Sequence, residues 1–269
     1  MPNGNSAINW YFDFHMMILI LPWQLCLSRS AAKLLFQPLF RTDSHMLNYA
    51  PPTASIGELA YRRIRADIVF GRLAPSQRLK LDDLRETYGT SISTLREILN
   101  RLSSEGLVEA EGQKGFMVAP VSASNLSEIA ALRLLLEGHA LAQSFTAGDM
   151  EWEGRVVAAH HKLALMEKRM LDNDRADPEL WKRYDWEFHH ALISACGSQV
   201  LMETHASVYD RYLRYQMVAV IFRGEAAAQE HQILLDCAMR RDIVRATDVL
   251  ATHINACVEH TLAGGSLQG

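Results

Sequence analysis

Residues 78–118, RLKLDDLRETYGTSISTLREILNRLSSEGLVEAEGQKGFMV, decide the fold of this chain. Residues 81–88 read as a short helix that Gly89 is placed to end. Thr90 and Ser91 make a tight polar turn, and a second helix follows. That helix sets Leu95, Ile98, Leu99 and Leu102 at the i, i+3, i+4, i+7 spacing of a core-facing stripe. Ser93, Thr94, Arg96, Asn100 and Arg101 point elsewhere. After Gly106 the period changes. Leu107 and Val108, then Phe116, Met117 and Val118, bracket the polar run Glu111-Gly112-Gln113-Lys114-Gly115, the pattern of a β-hairpin with glycines at its tip. Helix, turn, helix and hairpin in this order predict a winged helix-turn-helix, which presents its second helix to the major groove of double-stranded DNA.

Upstream, residues 55–70 predict an amphipathic helix. Ile56, Leu59, Ala60, Ile64 and Ile68 line its apolar side, and Arg62, Arg63 and Arg65 lie off it. Ser55 and Glu58 make a capping box, and Gly71 ends the helix. Residues 54–120 are thus one DNA-binding domain of three helices and a hairpin. Residues 1–53 do not share its patterning and read as a disordered extension, with Met46 as an alternative start. The apolar run 16–27 is twelve residues long and interrupted by Pro22, too short for a membrane span. No basic segment precedes it, so it is no signal peptide either.

The chain has 269 residues, which suits one large or two modest domains. Four cysteines at unpaired spacings (Cys26, Cys196, Cys237, Cys257) fit a reducing cytoplasm. Net charge is −4, but the balance is uneven. Residues 55–120 carry ten Lys and Arg against nine Asp and Glu; residues 121–269 carry fourteen against twenty. Phosphate attraction by one copy is modest, so tight DNA binding favours two copies.

A short boundary, VSASNLS at 121–127, leads into helix after helix. The spans are 125–145, 151–171, 178–195, 199–222, 224–240 and 242–262, with Gly and Asp breakers between them. Apolar periodicity is near 3.6 throughout, as in Leu132, Leu135, Leu136, His139 and Ala140. Residues 121–269 therefore form an all-helical bundle of six or seven helices, and the whole chain is mainly α. The bundle carries one cluster of chemical interest. Asp185 and His189 share a helix face at i and i+4, and His231 and His253 stand alone in two further amphipathic helices. One oxygen and three nitrogens suit a divalent transition metal, Zn, Ni, Mn or Fe, with open positions. By spacing alone these histidines serve equally as partly buried or solvated residues.

Two resemblances sharpen this. Ser91-Ile92-Ser93-Thr94-Leu95-Arg96-Glu97-Ile98-Leu99, followed by Arg101-Leu102 and Glu105-Gly106-Leu107-Val108, is similar to the recognition segment of GntR-family transcriptional regulators. Gly71-Arg72-Leu73-Ala74-Pro75 with Arg78-Leu79 matches that family's lead-in. The resemblance implies that Ser91, Ser93 and Thr94 donate hydroxyl hydrogen bonds to DNA and that Arg96 contacts phosphate or guanine. It implies that the wing tip, Gly112, Gln113 and Lys114, reaches the adjacent minor groove. Ile92 stands where the family usually has a base-reading arginine, and Asp82 and Asp83 where some relatives place another, so the operator preference departs from that of relatives.

Asp185 and His189, then Glu230-His231 and the distant His253, resemble the FCD effector domain of the FadR-like branch of that family. There the matching Asp and three His bind metal. Leu132-Arg133 and Glu137 match its first helix, and Ser198 stands where many relatives have a helix-capping Asn. The resemblance implies a metal-assisted sensor of a small carboxylate effector, an organic or sugar acid. Arg133 is the candidate effector anchor, with Arg214 and Arg211 weaker candidates, and the same Arg133 is spaced to pair with Glu137 within its helix. The implied protein is a homodimeric repressor on a palindromic operator. A metal-only sensor and a metal-dependent hydrolase are the rivals; Glu187 points away from the ligand face and leaves the hydrolase without a general base.

Overall fold

The computed structural model describes residues 55–172, 177–219 and 222–264. The extension 1–53 and Met46 lie outside the described residues. Helices α1 (Ile56–Val69), α2 (Leu81–Tyr88) and α3 (Ile92–Ser104) build the helical part of the N-terminal domain. Ser55 caps α1 by accepting from the Glu58 amide at 3.2 Å. Gly89 ends α2 at φ +64°, a left-handed conformation that costs glycine least. Leu95, Ile98, Leu99 and Leu102 of α3 are all buried, as their spacing requires.

The wing differs from a plain hairpin. Strands β2 (Val108–Ala110) and β3 (Phe116–Val118) pair antiparallel around a single 3-10 turn, Gly112–Lys114. A third strand, β1 (Arg78–Leu79), adds to the other edge of β3, with Arg78 opposite Met117 and Leu79 opposite Phe116. Two residues are too short for alternation to reveal, so sequence periodicity could not show this strand.

The first helix corrects its sequence reading. Ile56 and Leu59 are exposed, whereas Tyr61 and Arg65 are buried. The reason is that α1 packs on two sides, against α3 and against the bundle helix α7 (Gln199–Ala219). Trp186, Tyr209 and Leu213 of the bundle complete the core of the winged domain. Burying side chains of this size contributes about 1.5–3 kcal/mol each.

Six helices follow among the described residues: α4 (Ala123–Ala147), α5 (Met150–Leu171), α6 (Pro178–Ile193), α7, α8 (Glu225–Arg240) and α9 (Ile243–Ala263). Ser122 caps α4 through the Asn125 amide, and Ser198 accepts from the Leu201 amide at the start of α7. Gly148 lets α4 turn into α5, since a Cβ there would stand 2.5 Å from the Trp152 ring. Leu132 and Leu135 are exposed in the single chain, whereas Leu126, Ile129, Ala130, Ala140, Leu141 and Phe145 form the buried apolar side of α4. Cys196, Cys237 and Cys257 are buried free thiols. No helix among the described residues is long and apolar enough to cross a membrane.

Candidate metal centre and DNA-reading face

Three helices bring four side chains together. Asp185 and His189 come from α6, His231 from α8 and His253 from α9, and each offers a ligand atom within 4.8 Å of the other three. All four are buried. Their orientation comes from an outer set of partners. His189 Nδ1 meets Glu137, His231 Nδ1 meets Glu167 at 2.6 Å, and His253 Nδ1 meets Glu230 at 2.7 Å. With Nδ1 engaged by a carboxylate, Nε2 is the nitrogen of each ring left to ligate a metal once it has lost its proton. The Nε2 atom of His189 is buried with no hydrogen-bond partner, and that of His231 is buried beside the Asp185 carboxylate. Asp185 is anchored by Tyr209, whose hydroxyl donates to Oδ2 at 2.8 Å, and by Lys182 at 3.5 Å from the same oxygen. Oδ1 is left toward the cluster, 3.3 Å from His231 Nε2. Buried imidazole nitrogens, one of them without a partner, beside one anchored carboxylate fit the donor set of a divalent metal.

The local electrostatics are divided. Burial opposes charge on His231, but Asp185 and Glu167 outweigh it and push its pKa up to about 9. Burial, with His231 and His189 nearby, takes His253 down to about 3 despite Glu230. Burial opposes ionisation of Asp185, but Lys182 and the neighbouring histidines hold it well below the usual carboxylate range.

Sequence reading named the four residues that the fold brings together and gave no role to Glu167, Glu230, Tyr209 or Lys182. Glu230 is adjacent to His231, but Glu167 lies far away on α5 with no local signal. Glu137 was legible only as the partner of Arg133. It does accept from Arg133 Nε at 2.8 Å, and it also holds His189 and His205. Replacing Glu167 with Gln should weaken metal affinity about 10–100-fold with the fold retained; titration with a chromophoric competitor reads it, and unchanged affinity would remove Glu167 from the site.

The candidate effector anchors separate. Arg133 is 1% exposed, lies over the rings of Tyr209 and Tyr212, and keeps Nη2 buried without a partner. Arg214 is not brought to the cluster; it donates to the Ala119 carbonyl at the domain junction, where Arg211 also lies. His160 stacks edge-on against Phe188 and His190 stacks on Trp186, outside the four.

On the winged domain, Ser91 Oγ caps α3 through the Thr94 amide and also reaches the hydroxyls of Ser93 at 2.8 Å and Thr94 at 2.9 Å. The hydroxyl cluster thus sits at the exposed start of α3. Gly112 and Gly115 at the wing tip take φ +58° and +92°. Arg62, Arg65, Arg72, Arg78, Arg85 and Arg101 are all engaged by carboxylates. Arg96, Lys114 and Lys80 are exposed and make no ion pair among the described residues. They lie at the start of α3, at the wing tip and just before α2. Lys80 carried no sequence signal of its own.

Comparison with known proteins agrees with this architecture. Residues 57–118 match the family described as bacterial regulatory proteins, gntR family, and residues 128–256 match the FCD domain. An uncharacterized HTH-type transcriptional regulator, BphR of Paraburkholderia xenovorans, is 38% identical over 76% of this chain and 84% of its own length. The HTH-type transcriptional repressor GlaR of Escherichia coli is 29% identical over 72% of this chain and 90% of its own. Among solved structures, E. coli McbR/YncC superposes with a TM-score of 0.66 at 18% identity, covering 78% of this chain and 98% of that one, which bears on the fold alone. The winged domain, the helical bundle and these matches together place the chain in the GntR family of transcription regulators, with an FCD domain as its C-terminal half.

Proposed function

We propose that this regulator senses a small organic or sugar acid through a divalent metal held by Asp185, His189, His231 and His253, and that the bound acid lowers its affinity for a palindromic operator. The observation that carries this is the convergence of the four buried side chains within 4.8 Å, with His189 Nε2 unpartnered and Arg133 Nη2 also buried and unpartnered on the far side of Glu137. A bound metal supplies a Lewis-acidic anchor for a carboxylate. Arg133 offers a second, charge-assisted one. The chain's own part is to fix the ring tautomers, to exclude water and to keep the acid next to α7. That helix also packs against α1 of the winged domain, so a shift in α7 reaches the DNA-reading face. Linkage requires that acid and DNA weaken each other by the same factor. The relatives GlaR and NanR are named as repressors, which favours the same sign here. Glu187 pairs with Lys162 at 2.8 Å rather than with the cluster, so it is not placed as a general base for hydrolysis.

A thermal-shift screen of the metal-loaded chain against organic and sugar acids tests the reading. At a hundredfold excess over its dissociation constant an effector stabilises by about 2.7 kcal/mol, roughly 5–10 °C for a chain of this size. Arg133→Lys should lose most of that shift. No stabilisation by any acid, with DNA binding intact, would leave the metal structural or sensed in its own right.

On the DNA side we propose Ser91, Ser93, Thr94 and Arg96 at the major groove, Gly112, Gln113 and Lys114 at the minor groove, and a homodimer that doubles the contacts. Arg96→Ala and Lys114→Ala should each reduce the slope of log affinity against log salt by about 1 per removed phosphate contact. Fluorescence anisotropy at several salt concentrations measures it, and an unchanged slope would take that residue off the DNA.

A further inference from the structure

The winged domain and the bundle meet around a cavity of about 220 Å³, separate from the metal centre. Its walls include Glu109, Ala119, Asn125, Arg211, Arg214 and Tyr215. Two arginines face it, and one of them is anomalous. Arg65, Arg133 and Arg214 are all buried arginines. Arg65 is matched by Asp210 and Arg133 by Glu137. Arg214 is 4% exposed and makes no ion pair among the described residues. Its guanidinium donates to the Ala119 carbonyl, and its Nε is buried without a partner. Burial, with Arg211 alongside, holds its pKa below the ordinary arginine value; Glu109 pulls the other way and is itself solvent-exposed.

The cavity has a second source of positive potential. Helix α4 begins at its edge, with its capping Ser122 and Asn125 in the wall. The first amides of a helix have no partner within it, and a helix of this length carries a partial positive charge at that end. Tyr215 fixes the start of α4 by donating to Asn125 Oδ1 at 2.8 Å. A desolvated guanidinium with no carboxylate in ion-pair contact is costly, and a bidentate oxyanion is the group that matches it.

We propose that this junction cavity is a second ligand site, for a small oxyanion of the phosphate class, gripped by Arg214 and Arg211 at the start of α4. Such an anion would join α7 to the segment between the two domains and stiffen their junction. The site is independent of the metal centre and of the acid it is proposed to sense.

Isothermal titration of the full chain with inorganic phosphate, and separately with glycerol 3-phosphate, at ionic strength matched by chloride, tests this. Saturable binding is expected, about tenfold or more weaker in both Arg214→Gln and Arg211→Gln, as the loss of a charge-assisted hydrogen bond implies. Arg211 is only partly buried, so its variant should keep the fold if Arg214→Gln does not. Hydrogen exchange should slow at residues 119–126 on binding. Binding of the monoester alone would assign the site to a phosphorylated metabolite; equal binding of both would assign it to free phosphate. Absence of binding by either probe overturns the proposal. So does binding that survives both arginine variants, or binding lost in Arg96→Gln/Lys114→Gln, which would place the anion on the DNA-reading face.

Discussion

His189→Ala combined with His231→Ala should strip the chain of its metal. Affinity is expected to fall by on the order of a thousandfold or more, since loss of even an outer partner of a ligand costs about 10–100-fold. The two residues supply two of the converging ligand atoms, from two different helices. Removing them also leaves Glu137 without its His189 contact and Glu167 without His231. Elemental analysis after gel filtration reads the result: about one equivalent in the unaltered chain and none in the double variant. The variant should still bind DNA, because α3 and the wing are built without the cluster. Equal metal content in the two proteins would show that the metal sits elsewhere. Loss of folding would be visible by circular dichroism, and His253→Ala alone then provides the milder comparison.

Asp210→Ala should cost about 3–5 kcal/mol of stability, the usual effect of leaving one charge of a buried pair uncompensated. Arg65 on α1 pairs with Asp210 on α7, and both are buried. Glu105 remains beside Arg65 at 3.0 Å, so the guanidinium keeps one partner and the lower half of that range is expected. The pair joins the winged domain to the helical bundle through the same helix that supplies Tyr209 to the candidate metal cluster. Chemical denaturation should therefore show an earlier midpoint and a broader transition, as the two domains unfold less cooperatively. Arg65→Met/Asp210→Leu should recover most of the loss, because an apolar pair of similar size avoids the desolvation cost. A loss below about 1 kcal/mol for Asp210→Ala would mean that the contact is solvated and the domains are coupled by apolar packing alone.

The architecture was legible wherever local pattern decides it. The α3 stripe, the Gly89 stop and the six bundle helices follow from periodicity and breakers within a few residues. What local pattern missed lies where distant segments impose the outcome. Arg65 reads as a solvated arginine until α7 covers it. Arg78 and Leu79 become a strand because β3 offers an edge. The four residues of the candidate metal cluster were legible because Asp185 and His189 are four residues apart and the family pattern marks the other two. Their outer carboxylates come from α4, α5 and α8 at no fixed spacing, so no one-dimensional signal exists for Glu167. Sequence ranked Arg133 above Arg214 as an anchor, and packing sets the first beside the candidate metal cluster and the second at the domain junction.

X-ray absorption at the zinc edge, on the zinc-loaded chain before and after an acid found by the thermal screen, tests the metal-anchored sensor most directly. Three imidazole nitrogens and the Asp185 oxygen should appear at about 2.0–2.2 Å, with further oxygen scattering when the acid is added. A sulfur scatterer at about 2.3 Å would place the metal against a cysteine such as Cys257, whose Sγ contacts Arg223 beside His253. That result, or a coordination shell that ignores the acid, would contradict the account.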